Sequence, residues 1–509
     1  MAMLHLYGAR GRPVPLLILS LSLILGLLAA LHLAQGGAAR PPAAEQGLLH
    51  FQSSASRASA QRELNRGLLL YYAYNGPQAA EYFQRAADEQ PRLAIAYWGI
   101  ALASGPDINT PFSRESFMRG AKAMRTAVSL ERYASPRERA YIDAMAARYH
   151  GNFEPRDAPE SAYRAAMAKL VASYPGDDDA SMLYAEAVLE HNSVAQIWHS
   201  QEGLRAAALL DRLIGNVLSR YPEHPMANHL NIHLHDYAPH HSKALQSGDR
   251  LAALDVEPAA EHLIHMAAHA YNENGDYAKS LAASARAIAL ANAAADRRYL
   301  FHDFEVGMSA AMNGASYQNA ADFVARSYTG QPAGKAPLLM AVKTRFYRWD
   351  DILANHDDDG PSRVARIEAL AAKGDGRAAA SRLKALRLTD SSLSTLLLRS
   401  RVAIATGRGD DSVRLAQEAV TKEGGHKAEL IPYSPALQTL GHAYYAMHRY
   451  GEAVHAFRNE LRMYPGNGRA LYGLWQSLQA SGRSAAADAK RLFDKAWTGS
   501  DVLLSMNDL

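Results

Sequence analysis

The feature that most constrains this chain is a set of small, aromatic and proline residues recurring on a 34-residue frame. Counted back from Pro91, the residues Gly67, Ala79, Phe83, Ala86 and Pro91 take frame positions 8, 20, 24, 27 and 32. Near the C-terminus Leu440, Gly441, Tyr444, Ala453, Phe457 and Pro465 take positions 7, 8, 11, 20, 24 and 32, with Glu460 at an alanine place as the one departure. Small residues at 8 and 20 let two helices of a unit approach closely. An aromatic at 24 fills the space between units, and proline at 32 ends the second helix. The segment AIAYWGIALA opens the unit after Pro91, and Tyr174-Pro175 and Tyr221-Pro222 mark further unit ends.

Helix signals dominate and strand-like alternation is almost absent, so the expected class is all-α: a tetratricopeptide-like α-solenoid of helical hairpin repeats. Between Pro106 and Tyr149 the helices run longer and off frame; there Ser135, Pro136 and Glu138 spell a capping box with proline at the first helical position. Residues 330–362, with QPAGKAP and NHDDDGPS, read as the main irregular break. The organisation expected is a signal-anchor and tether over 1–46, an array over 47–330 and a second over 331–509. One continuous superhelix is the alternative.

A net charge of +3 with no basic block gives no footprint for nucleic acid. The chain has no cysteine, which removes disulfides, thiolate metal sites and a cysteine nucleophile together. Any metal must be held by imidazole and carboxylate. Arg10 and Arg12 precede an uncharged, leucine-rich stretch from Leu16 to Ala34, close to the ~20 residues that span a bilayer. The basic flank predicts a cytoplasmic N-terminus with the remainder exported, hence a membrane-anchored, periplasmic or otherwise extracytoplasmic protein. An uncleaved anchor is favoured; cleavage near Gly36–Ala39 would make it secreted.

Within the repeats, histidines gather. Ten of 21 lie between His224 and His302, where uniform scatter would put roughly three. With Gly275 at position 15, His262, His265 and His269 fall at 2, 5 and 9, and Asn272 at 12. With Pro222 at position 32, His229, His233 and Asp236 of the next unit fall at 5, 9 and 12. Positions 2, 5, 9 and 12 of a first helix share the inner face, because residues three and four apart stand one above another. First helices of adjacent units pack about 8–10 Å apart, so imidazoles from both can converge. They supply either one site of four nitrogens or two neighbouring ions with Asp236 among the carboxylates. His302, with Glu305 one turn on, closes the site from the following helix. Nitrogen and oxygen ligands without sulfur suit zinc, copper, iron or manganese. The competing reading is a polar groove whose histidines hydrogen-bond a bound peptide. His191, His199, His224, His235, His240 and His241 are assigned to surface or loops, Asp357–Asp359 to a solvated turn, and Trp98, Tyr97, Tyr71 and Tyr72 to packing. Glu186, at a groove position, is a minor extra candidate. No phosphate loop, GxSxG elbow or HExxH helix is present in the sequence.

RGLLLYYAYNGPQAAEYFQRAADEQPRLAIAYWGIALASGPDIN, MLYAEAV, NHLNIHLHD, HLIHMAAHAYNENGDY, RFYRWDDIL and ELRMYPGNGRALYGLWQSL together resemble a family of bacterial tetratricopeptide-repeat proteins over most of about 50–497. Its histidine motifs fall on Asn228, His229, His233 and Asp236, then on His265, Met266, His269 and Tyr271, then on His302. Asp303 and Glu305 stand where that family has asparagine and a second histidine. The resemblance implies the fold and a shared histidine site, and supplies no reaction. The leading functional expectation is a membrane-anchored scaffold with a metal site in its groove and a protein or peptide as partner. The alternatives are a metal-dependent oxidase or hydrolase with Asp236 or Glu305 moving protons, and a metal-free peptide adaptor.

Overall fold

The repeat register has a simple physical basis: one phenylalanine wedged between two glycines. Phe83 lies against Gly67 and Gly99, where an added Cβ would stand 2.9 and 2.3 Å from its ring. Phe457 lies between Gly441 and Gly473 in the same way, at 2.7 and 2.3 Å. The wedge recurs once more between Gly307 and Phe323. Gly99→Ala should therefore cost about 1–3 kcal/mol by overpacking, and Phe83→Ala about 3–5 kcal/mol. Urea titration of the double variant checks the cause, since Gly99→Ala should cost little once the ring is gone.

The computed structural model describes residues 48–509 except 50, 193, 195, 237, 239, 240, 331 and 425–434. The expected signal-anchor over 1–46 and His240 lie outside the described residues. Every described residue belongs to one compact unit, Ala44–Leu509. Among the described residues no helix is long and apolar enough to cross a membrane.

Helices follow one another as antiparallel hairpins. The first are α1 (Ala58–Tyr72), α2 (Gly76–Glu89), α3 (Ala94–Ala103), α4 (Arg114–Ser129), α5 (Pro136–Arg148), α6 (Asp157–Ser173), α7 (Asp178–His191) and α8 (Gln201–Arg220). The middle holds α9 (Pro225–Asp236), α10 (Leu245–Ala253), α11 (Glu261–Glu273), α12 (Tyr277–Ala293), α13 (Leu300–Asn313) and α14 (Tyr317–Ser327). Beyond them run α15 (Pro332–Arg345), α16 (Trp349–Leu353), α17 (Gly360–Ala372), α18 (Gly376–Ala385), α19 (Leu393–Ala405) and α20 (Gly409–Glu423). Last come α21 (Ala436–Ala446), α22 (Tyr450–Met463), α23 (Gly468–Ala480) and α24 (Ala486–Ala496). Local chemistry sets the starts. Asn75, Asp177 and Asp276 accept from backbone N–H groups in the first turns of α2, α7 and α12. The capping box of Ser135 and Glu138 opens α5 as the sequence predicts.

One expectation is corrected here. Residues 330–362 are not an irregular break, because α15 and α16 occupy most of them. Pro337 sits inside α15, where it removes one hydrogen bond without ending the helix.

Two long-range closures shape the body. Near the start, Asn75 Nδ2 donates to the Ala259 carbonyl (2.9 Å), Arg298 Nη1 to the Tyr74 carbonyl (3.0 Å), and Arg66 pairs with Glu257. These contacts hold α1 and its following turn against the turns before α11 and α13, and α1 also packs on α9. Near the end, Tyr277 Oη donates to the Pro465 carbonyl (2.9 Å), and Arg469 Nη1 to the carbonyls of Met312 and Gly314 (3.2 Å each). Gly275 makes this second closure feasible. Its φ is +78, and a Cβ would stand 1.9 Å from the Pro465 oxygen.

Candidate metal centre

Three first helices carry the site. HxxxH spacing on α9 puts His229 and His233 on one face, and His262, His265 and His269 share a face of α11 at steps of three and four. Residue His302 opens α13. Since α9 packs on α11 and α11 on α13, six imidazoles form a continuous row. Ring centroids are 4.8 Å apart for His233–His229, 5.2 Å for His229–His262 and 5.2 Å for His262–His265. The row ends with His265–His269 at 4.7 Å and His265–His302 at 4.8 Å.

The row divides between His262 and His265. His229, His233 and His262 form one triad; His265, His269 and His302 form another; within each, the ligand atoms lie within 4.8 Å of one another. Either could hold a metal ion. The sequence-level choice between one four-nitrogen site and two neighbouring ones thus meets a geometry of two triads. Asp236 and Glu305 belong to neither set and face the far nitrogens instead.

The second triad is the tighter. His269 Nε2 lies 3.0 Å from His265 Nε2 and 3.1 Å from His302 Nε2. Ligands at 2.0–2.1 Å in a tetrahedron stand roughly 3.3 Å apart, so these separations suit one ion. On the far side each Nδ1 meets a carboxylate: Asp303 at 2.8 Å from His265, Asp236 at 3.4 Å from His269, and Glu305 at 3.7 Å from His302. The first contact is bent away from the ring N–H line, so it is electrostatic rather than a well-aligned hydrogen bond. A negative carboxylate behind Nδ1 favours the tautomer with the proton on that side, which leaves the Nε2 lone pair for a cation. Three such lone pairs aimed at one point repel unless something positive sits between them.

The first triad is fixed differently. His229 Nδ1–H donates to the Tyr72 carbonyl (2.7 Å), which leaves its buried Nε2 without a hydrogen-bond partner. His233 Nε2 and His262 Nδ1 are likewise buried and unpartnered, while His262 Nε2 lies 3.4 Å from the Asn109 amide nitrogen.

Burial sets the protonation states. Desolvation holds His229 down to about 4, against a weaker opposing effect of its bond to Tyr72. Desolvation, followed by repulsion from neighbouring imidazoles, holds His233, His262 and His265 well below the usual histidine range. His302 is pulled to about 4 by burial and then by His269. Neutral imidazoles are the ligand form. Burial pushes the Asp303 carboxyl up to about 7, opposed by His269.

Two features were not visible in the sequence. The inner face is covered at the first triad and at His265, where His229, His262 and His265 are at most 1% exposed beneath α1, while the side chains of His269 and His302 remain 18% and 43% exposed. Asp303, read only as a motif departure, is the carboxylate nearest a ligand ring. Its signal was its place directly after His302, but only the packing of α13 on α11 aims it at His265. The assignment of His224 and His235 to surface or loop is overturned as well. His224 packs on Tyr72 and Tyr221. His235, on the opposite face of α9 from His233, donates Nδ1–H to the Asn231 carbonyl (2.9 Å) and packs on Trp198. Glu186 is buried and belongs to neither triad, accepting from Tyr71 Oη at 2.5 Å. Asp357–Asp359 are exposed as expected, and Asp359 caps α17.

No protein-family model matches the chain, and no curated protein matches it. Among solved structures it is similar to the TPR domain of P58(IPK), at 12% identity over 84% of this chain and 99% of that one, TM-score 0.22. It is also similar to human IFIT1, solved as a dimer with m7Gppp-AAAA (12% identity, 89% and 91% covered, TM-score 0.30). A third is the APC/C hetero-tetramer Cut9-Hcn1 (11% identity, 86% and 97% covered, TM-score 0.23). At these scores the fold assignment rests on the hairpins themselves: the chain is an all-α, TPR-like α-solenoid.

Proposed function

We propose that this chain is a repeat scaffold that binds two transition metal ions, one at His229, His233 and His262 and one at His265, His269 and His302. The observation that carries the reading is the convergence of three Nε2 atoms whose Nδ1 atoms each face a carboxylate. Lone pairs arranged so are costly without a cation, and burial holds His229, His233, His262, His265 and His302 in the neutral, ligating form. Zinc, copper, iron and manganese all accept such ligands. The first triad is too deeply buried to line an open peptide groove. The resemblance of its histidine motifs to those of a bacterial repeat family supports the same reading.

Elemental analysis of full chain purified without a histidine tag tests this. The expected content is two equivalents of transition metal per chain; a chain that stays metal-free after dialysis against zinc, copper, iron and manganese in turn removes the reading. We further propose that residues 16–34 anchor the protein with its repeats outside the cytoplasm. Protease added to cells with a permeabilised outer envelope and an intact inner membrane should then degrade the repeats, and protection of the repeats would contradict this topology.

A further inference from the structure

The two triads differ in what balances charge. Asp303, Asp236 and Glu305 stand behind the second, enough to offset a divalent ion. At the first, His229 and His262 meet a backbone carbonyl and an amide instead, and the one carboxylate acting on His233 is Asp236, which already stands behind His269, so a cation there brings charge that is not fully offset.

Phenols take the place of carboxylates. The Tyr74 ring lies 4.4 Å from His229, 5.5 Å from His262 and 5.8 Å from His233, and the Tyr299 ring lies 4.4 Å from His262. The Tyr74 hydroxyl is buried without a hydrogen-bond partner, which native structures rarely tolerate, and the Tyr299 hydroxyl has Thr110 beside it. Tyr74 is 1% exposed and has a φ of 53, a left-handed conformation that is strained for an aromatic residue. Arg298 and Asn75 hold it there through the Tyr74 and Ala259 carbonyls. The nearby acids do not supply the missing charge cheaply: Asp107, whose charge acts on both Tyr74 and Tyr299, already accepts from the Asn109 and Thr110 backbone N–H groups, and burial pushes its carboxyl up to about 6. Glu190 is committed to Arg148 at 2.6 Å, and Glu186 accepts from Tyr71 while burial pushes its carboxyl well up toward the neutral form.

There is also a way in. Asn109, whose amide touches His262, belongs to a loop that lines a cavity of about 700 Å³ together with Arg148, Arg156, Arg164 and Glu190.

Building on the metal reading, we propose that the ion at His229, His233 and His262 keeps a position open toward Tyr74 and Tyr299, and binds there a small oxyanion of carboxylate size that enters through the Asn109 cavity. The phenols donate hydrogen bonds to it, and it completes the charge balance. Three protein ligands with an open face are the arrangement of a reactive ion, and four closed ligands that of a structural ion.

Full chain loaded with cobalt(II), with azide as probe anion, provides the test. Cobalt content is measured before any anion is added, so failure of the metal reading is separately visible and ends this proposal with it. With two cobalt ions bound, one azide per chain should change the visible spectrum, and formate should displace it. His233→Ala should abolish the response while one cobalt remains. Tyr74→Phe and Tyr299→Phe should keep both ions and each weaken azide binding about tenfold, the loss of one hydrogen bond to a charged group. The proposal is overturned if azide has no effect on the two-cobalt protein, if the response survives His233→Ala, or if neither phenylalanine variant shifts azide affinity.

Discussion

Replacing His269 by alanine lowers the metal content of the full chain from two ions to one. His269 Nε2 is the atom both other members of its triad face, at 3.0 and 3.1 Å, so no ligand pair survives its loss at that spacing. Structural zinc sites bind with apparent free energies of about 10–16 kcal/mol. One ligand of three or four is therefore worth roughly 3–4 kcal/mol, or two to three orders of magnitude in affinity. The first triad shares no ligand with the second and should keep its ion. Melting should report the same loss: with free zinc at 100 times its Kd, each bound ion stabilises the fold by about 2.7 kcal/mol. His199→Ala is the control, because His199 is exposed and its removal should leave two ions bound. If His269→Ala retains both ions at unchanged affinity, the second triad is not a site.

Asp303 gives the second large effect, through pH. Its folded carboxyl titrates at about 7, raised chiefly by burial, so below that pH it carries a proton. A cation on His265 favours the carboxylate, and binding must expel that proton. Affinity at the second triad should therefore rise tenfold per pH unit up to about 7 and then level off. Protonation of His302 intrudes only near 4. Competition against a chromophoric chelator between pH 5.5 and 8 measures the slope. Asp303→Asn should flatten it and, as is usual when the partner behind a ligating histidine is lost, weaken binding 10- to 100-fold. A slope near three centred on the ordinary histidine value of about 6.5 would mean solvent-exposed imidazoles and contradict the buried site.

Much of this was legible in the residues. Gly67, Phe83, Gly441 and Phe457 announce the hairpins because close helix approach needs a missing Cβ and the space beside it needs a ring. The pairs on α9 and α11 are legible because helical geometry alone puts residues four apart on one face. What could not be read is what depends on closure. Tyr74 and Asn109 lie far from the histidines in sequence, and only the folding of α1 onto α9 brings Tyr74 to them. The division of the row between His262 and His265 follows from the offset of α9 and α13 along α11, which no spacing encodes. Proline and glycine density over 330–362 misled for a related reason. Packing of α15 against α14 and α17 sustains a helix that local propensity alone would break.

The central claim is that imidazoles of successive hairpins hold metal. X-ray absorption at the zinc edge, on full chain loaded with two equivalents, addresses it most directly. The account predicts a first shell of nitrogen and oxygen near 2.0–2.1 Å, with outer-shell scattering from about three imidazole rings per ion. An oxygen-only shell without imidazole scattering would contradict it.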